Sequence, residues 1–427
     1  MAVTFPEGFL ASATTAGIKP SGKPDLCLIA LSPGAPDPAR QGAAIVLTRN
    51  AVVGAPVLVA RRVRAAMLSG RGPAPRAVLI NSGNSNAATG DRGLRDAQET
   101  AALAAARLGV PPEAVLPSST GVIGRPLPVG KIAEAIPSLV GALARGPEAD
   151  AAAARAIMTT DLVPKSARAS VDLAGHRVRI GAIAKGSGMI APRLDSAFGP
   201  PSPQATMLAF ITTDAAVDAP TLQRLIEPAC AASFNRISVD NHPSCSDTVA
   251  VLASGMARGP GGGPVPPIRP GTPEAEALAA ALAGVCQDLA EQVVRDGEGA
   301  TRTFRVTVRG AATDAAAEAM ARQVVDSPLV KCAIHGRDPN WGRIVTAAGN
   351  AGHPFDPAEA SLTIGPVEVY RAGVPIPAAL TDPALAQAMA SARVELALTV
   401  GRGPGASWMI GCDLSAGYVS INADYTT

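Results

Sequence analysis

Three short segments put reactive side chains beside flexible backbone. Ser118-Ser-Thr-Gly-Val-Ile-Gly124 sets the Thr120 hydroxyl next to the Gly121 N–H, two neighbouring donors of the kind that hold a developing oxyanion. Lys185-Gly-Ser-Gly-Met189 carries an ammonium ahead of its glycines. That order is the reverse of a Walker phosphate loop; a lysine beside glycines could hold a carboxylate or an acyl oxygen. Gln204 to Asp214 brings Thr206 to the mouth of an apolar run, where a sheet would fix its hydroxyl. Each segment also has an ordinary reading. Ser-Thr-Gly turns cap helices, lysines are solvated, and threonine favours strands.

The elements that must position these groups alternate along the chain, which predicts an α/β (mixed α+β) fold of layered sheets covered by helices. Arg76–Asn81 reads as a buried strand leading through a polar turn into a helix from about Gly93 to Leu108. His176–Ile183 alternates as a strand that ends at Lys185, and Met207–Thr212 is a continuous apolar strand. Arg258–Gly271, rich in Gly and Pro, reads as a surface loop. Thr272 then caps a helix with Pro273 in its first turn, an apolar face of Leu278, Leu282, Val285, Leu289 and Val293, and a stop at Gly297. Glu298 sits between two glycines just ahead of a strand at 301–308.

Composition narrows the function. Lys+Arg number 37 against Asp+Glu 35, so no electrostatic footprint for nucleic acid or anionic lipid appears in the totals. Aromatics are 3% of a chain that is 47% hydrophobic; the core must be built from Ala, Val, Leu and Ile, and base-stacking platforms are not expected. Six scattered cysteines and four histidines form no metal-ligand spacing, so no metal is expected and the thiols read as idle in a reducing compartment. The N-terminus lacks a signal-peptide pattern, and no uninterrupted apolar run suggests a membrane span. A cytoplasmic location follows as an expectation.

Taken together the segments resemble the ornithine acetyltransferase (glutamate N-acetyltransferase) family of arginine biosynthesis. The strings that carry the likeness are Asn81-Ser-Gly-Asn84, Ser119-Thr-Gly-Val-Ile-Gly124, Met158-Thr-Thr-Asp161, Ala184-Lys-Gly-Ser-Gly-Met-Ile-Ala-Pro192, Ala205-Thr-Met-Leu208, Gly297-Glu-Gly-Ala-Thr301, Asp338-Pro-Asn-Trp-Gly-Arg343 and Ile421-Asn-Ala-Asp-Tyr425. They run in one order over nearly the whole chain. The resemblance implies self-cleavage between Ala205 and Thr206, giving an α chain of 1–205 and a β chain of 206–427 that work as one unit. Thr206 would then be the nucleophile, with its own α-amino group as base, and Thr120 and Gly121 would form the oxyanion site. Substrate contacts carry over to Thr159, Lys185, Thr206, Glu298, Asn422 and Thr427. The implied reaction is ping-pong transfer of acetyl from N-acetylornithine to glutamate. No resident cofactor is implied, and acetyl-CoA serves some members as a co-substrate. The implied assembly is a heterotetramer of two α and two β chains.

The chain departs from the family next to the chemistry. Twelve residues, Arg193 to Gln204, separate Pro192 from Ala205, where the family keeps two. Loop length costs little in closure entropy, so the fold should survive while the cleavage rate is exposed to change. Two rival readings stay open: an amidohydrolase or aminopeptidase that uses the same threonine, and an unprocessed binding relative. Val239–Asp247 and Arg302 also differ from the family pattern, the former reading as a diverged loop and the latter keeping the positive charge of the usual lysine, with little effect if it points to solvent.

Overall fold

Continuous apolar runs form the centres of the sheets. The computed structural model describes residues 1–34, 40–173, 175–191, 193–197, 207–259 and 261–424. Two compact units emerge among the described residues, one of Met1–Asn235 with His242–Val293, the other of Arg236–Asn241 with 294–424. These units divide the chain differently from the expected 1–205 and 206–427 pieces. Cutting one peptide bond inside a folded body separates chains without defining a unit of packing.

The first unit holds two sheets. In the four-stranded one, β1 (Phe9–Thr14), β2 (Leu26–Leu31), β4 (Ala77–Asn84) and β5 (Val115–Val122) lie in the order β1-β2-β4-β5. In the five-stranded one, β3 (Gly42–Leu47), β6 (Lys165–Leu173), β7 (His176–Lys185), β8 (Leu208–Thr213) and β9 (Thr248–Ala253) run in the order β3-β9-β8-β7-β6. Strands β3, β8 and β9 are buried along their whole length, the pattern of strands covered on both faces. Helices α1 (Ala55–Leu68), α2 (Gly90–Leu108), α3 (Val129–Gly141), α4 (Pro147–Ala156), α5 (Ala219–Ala231) and α6 (Pro273–Arg295) complete it. The predicted strands and helices at these places therefore form, each with its ends shifted by a few residues.

Helix α6 bears out its sequence signals. The Thr272 hydroxyl accepts from the Ala275 N–H at 3.3 Å, and the predicted apolar stripe from Leu278 to Val293 is buried. By length and composition alone α6 could cross a bilayer. It packs instead as a core helix, with Gln292 bonding both the N–H and the carbonyl of Ser166 on β6. The Pro/Gly-rich stretch ahead of it is tied down more than its composition implies. Val265 and Ile268 are buried, and the Ile268 N–H donates to the Ala216 carbonyl at 2.8 Å.

The second unit is one seven-stranded sheet. Strands β10 (Thr303–Ala311), β11 (Ser361–Ile364), β12 (Val367–Arg371), β13 (Arg393–Thr399) and β14 (Gly405–Cys412) are its main members, with short end strands at Val374–Pro375 and Ile237–Ser238. Strand β10 alternates buried and half-buried side chains, so one face meets the core. Helices α7 (Asp314–Asp326), α8 (Pro328–Gly336), α9 (Trp341–Gly349), α10 (Pro383–Ala390) and α11 (Ala416–Asp424) belong to it. Asn340 caps α9 and is itself braced by Asp338, which accounts structurally for much of the polarity of the 338–343 segment. Arg302 is half-buried and donates to the Met389 carbonyl at 2.7 Å.

Candidate active site

Parallel pairing of β4 with β5 builds the first element of the site. Ser82 is registered with Thr120 and Gly83 with Gly121, and the ladder is irregular at Asn84. Gly121 has φ +129°, and a Cβ there would lie 2.4 Å from the Gly83 carbonyl carbon. Only glycine fits so close an approach in that conformation. Thr120 is buried beside it. The neighbouring Ser119 hydroxyl donates to Asn81 Oδ1 at 2.6 Å, and Asn81 in turn donates to the Asn84 carbonyl. Polar side chains thus hold the end of the sheet rigid.

A buried ion cluster forms the second element. The link from α4 to β6 delivers Thr159 and Asp161, and the antiparallel β6–β7 pair brings Lys165 beside Ala184 and thus near Lys185. Asp161 Oδ1 accepts from Lys165 Nζ at 2.7 Å and from the Gly186 N–H at 2.7 Å. Its Oδ2 accepts from the Thr159 N–H at 3.0 Å and lies 3.9 Å from Lys185 Nζ. Burial opposes ionisation of Asp161, but the Lys185 and Lys165 charges with their hydrogen bonds overcome it and hold its pKa at about 2. The cluster pairs two ammonium groups with one carboxylate, which suits it to receive a second carboxylate.

Lys19 connects the two elements. Its Cγ would stand 2.9 Å from a Cβ on Gly83, and its Nζ donates to the Pro24 and Ala156 carbonyls. Desolvation lowers its pKa to about 8, against the pull of the Asp25 and Asp161 charges. Asp25, fully buried, fixes this loop by accepting from the Ala16, Ile18 and Lys19 N–H groups.

The stretch expected as a diverged loop, Val239–Asp247, is pinned at its second half. The Gly54 N–H donates to the Cys245 carbonyl at 2.8 Å and the Thr48 hydroxyl to the Ser244 carbonyl at 2.8 Å. It ends on Asp247, whose side chain is fully buried.

In the second unit, Glu298 is buried and accepts from Asn422 Nδ2 at 2.8 Å, joining two of the expected substrate residues. Asp413 braces the segment after Glu298 by accepting from the Thr301 and Arg302 N–H groups and pairing with His335 Nδ1 at 2.7 Å. Gly299 has φ +68°, and a Cβ there would meet the Tyr418 nitrogen at 2.3 Å, so the turn beside Glu298 also requires glycine.

Thr120 with Gly121, Thr159 with Lys185, and Glu298 with Asn422 are therefore each gathered locally. Ala205, Thr206 and Thr427 lie outside the described residues, as does most of the 193–204 insertion. Its described start is anchored: Asp195 forms a bidentate pair with Arg64 at 2.7 and 2.6 Å. Reading the sequence for reactive groups missed Lys19, Lys165 and Asp247 and gave Asp161 no role. The Asp161–Lys165 spacing at a strand entrance was the available signal; burial, which makes that pair matter, was not visible.

The model of the ArgJ family matches residues 10–427. The arginine biosynthesis bifunctional protein ArgJ of Thermosynechococcus vestitus is 44% identical over 440 residues, covering 100% of this chain and 98% of its own. The protein of the same name from Symbiobacterium thermophilum is 43% identical over 428 residues, covering 100% of this chain and 98% of its own. Among solved structures, the arginine biosynthesis bifunctional protein argJ of Bacillus halodurans is 38% identical, covers 52% of this chain and 100% of its own, and has a TM-score of 0.48.

Proposed function

The chain belongs to the ArgJ family, and from that premise we propose that it is a self-processing acetyltransferase of arginine biosynthesis with Thr206 as nucleophile. Cleavage of the Ala205–Thr206 bond frees the Thr206 α-amino group. With an unperturbed pKa of about 7.7–8.0, that amine takes the hydroxyl proton near neutrality, and no histidine is needed. N-acetylornithine then acylates Thr206, ornithine leaves, and glutamate accepts the acetyl group. Acetyl-CoA can enter as the donor at the same acyl-threonine step, without a resident cofactor or metal.

In this reading the Thr120 hydroxyl and the Gly121 N–H stabilise the tetrahedral oxyanion. Lys185, backed by Thr159 and Asp161, receives a substrate carboxylate. Glu298, oriented by Asn422, receives the distal ammonium of ornithine, and Thr427 completes the substrate contacts. The 1–205 and 206–427 chains act together as a cytoplasmic heterotetramer, two of each. The observation that carries the reading is the glycine-only approach of Gly121 to Gly83 beside the buried Thr120. Such a corner fixes two donors in advance of the charge they meet.

The test is the intact mass of the purified protein, with N-terminal sequencing of any second fragment and an assay of transfer from N-acetylornithine to glutamate. Two fragments, one beginning at Thr206, together with transfer activity, are expected, and both are lost in Thr206→Ala. A wild-type chain that stays at 42.8 kDa and transfers no acetyl group overturns the proposal.

A further inference from the structure

Glutamate and ornithine make opposite demands on one enzyme. Both carry an α-carboxylate, but ornithine ends in an ammonium and glutamate in a second carboxylate. In the proposed reading Lys185 and Glu298 meet the first two groups, and glutamate's distal carboxylate still lacks a cation. Lys165 and Lys19 both act electrostatically on Asp161, as Lys185 does. Lys165 is fully buried, with its Nζ 2.7 Å from Asp161 Oδ1. Lys19 is half-buried, and its Nζ donates to the Pro24 carbonyl at 2.8 Å and the Ala156 carbonyl at 3.3 Å. An ammonium has three donors, so one N–H of Lys19 has no partner among the described residues. Its address is specific. The Ala156 carbonyl also accepts from the Ser82 hydroxyl, and Ser82 is the register partner of Thr120. The Lys19 stem lies against Gly83, the partner of Gly121, where a Cβ would meet Lys19 Cγ at 2.9 Å. The three N–H groups that Asp25 holds, Lys19's own among them, fix the loop in this position.

Resting on the reading that glutamate accepts the acetyl group, we infer that Lys19 receives glutamate's distal carboxylate and so selects the acceptor. Its uncommitted N–H supplies a charge-assisted hydrogen bond, and partial burial strengthens that bond because little water competes for it. Lys19 acts on which amino acid binds and takes no part in making or breaking bonds. Its environment also suits a site that meets both amino acids in turn. Desolvation brings its pKa down to about 8, against the pull of the Asp25 and Asp161 charges, while the Lys185 and Lys23 charges add to the fall. Near neutrality the amine is therefore charged for glutamate, yet it gives up its proton at small cost when ornithine's ammonium approaches. An arginine at this position would stay charged towards both.

The experiment compares two reactions of the purified enzyme. One is transfer from N-acetylornithine to glutamate; the other is exchange between N-acetylornithine and isotopically labelled ornithine, which needs no glutamate. In Lys19→Gln the amide still reaches towards the loop carbonyls and the charge is gone. The kcat/KM for glutamate should fall by about 10- to 150-fold, chiefly through KM, while the exchange changes by less than about threefold. Equal losses in both reactions, a fall confined to kcat, or an unchanged value for glutamate overturns the assignment. Should Lys19→Gln fail to fold, the wild-type enzyme decides, by brief labelling with acetic anhydride and peptide mapping. Glutamate should shield Lys19, and norvaline, an α-amino acid without a distal carboxylate, should leave it open. Equal labelling in the presence of either overturns the assignment. A wild-type enzyme that transfers no acetyl group to glutamate defeats the underlying reading instead, and the wild-type arm tells the two failures apart.

Discussion

Lys185 Nζ lies 3.9 Å from Asp161 Oδ2, while the opposite oxygen of the same carboxylate is held by Lys165 at 2.7 Å. One carboxylate therefore serves Lys165 with one oxygen and lies near Lys185 with the other. Lys165 is fully buried, so this carboxylate is a close counter-charge held out of water with it.

Asp161→Asn removes the carboxylate partner of a fully buried ammonium, and breaking a buried ion pair by removing one member typically costs about 3–5 kcal/mol. Urea denaturation of wild type and variant measures it. Equal midpoints would show that Lys165 finds another partner or sheds its proton.

The same carboxylate sets an acid limb of stability. Its folded pKa of about 2 is below the ordinary 3.8, so its contribution is complete above the unfolded value and is lost as pH falls through about 2. The loss amounts to about 2 kcal/mol between pH 4 and pH 2. Denaturation midpoints across that range should fall in wild type more steeply than in Asp161→Asn.

Gly121→Ala forces a methyl group to within 2.4 Å of the Gly83 backbone. The corner must open, and the Gly121 N–H moves off the oxyanion position. Loss of one such donor lowers turnover by about 100- to 1,000-fold. Steady-state kinetics should show the loss in kcat, with the KM for N-acetylornithine little changed; a fall confined to KM would argue against an oxyanion role.

Glu298→Gln keeps the hydrogen bond to Asn422 within reach and removes the charge. A charge-assisted contact of about 1.5–3 kcal/mol corresponds to roughly a 10- to 150-fold loss in kcat/KM for N-acetylornithine. N-acetylglutamate, which has no ammonium, should lose far less as donor in the reverse exchange. Equal losses for both donors would move the ammonium site elsewhere.

Lys19, with its pKa near 8, should react with an acylating reagent at pH 8 well ahead of exposed lysines such as Lys23. Peptide mapping after brief labelling would show it. Protection by N-acetylornithine would place substrate near this side chain, and labelling no faster than Lys23 would mean its ammonium is held charged.

The elements and the ordered motifs are legible in residue type and spacing alone. The apolar runs of β8 and β9, the capped and striped α6, and the segments containing Thr120, Lys185, Thr206 and Glu298 could be read from residue type and spacing. Those features are local, set by hydrophobic period, capping chemistry and glycine's conformational freedom. Tertiary structure decided which polar groups are buried and what faces them. Asp161 could become the partner of both Lys165 and Lys185 only once β6 paired with β7. Asp247 reached its place beside Met207 only when β9 aligned with β8. Arg302 found the Met389 carbonyl, and the Pro-rich stretch before α6 acquired buried anchors, for the same reason. Charge and desolvation energies depend on distances between groups far apart in the chain, and residue spacing along the sequence does not encode them.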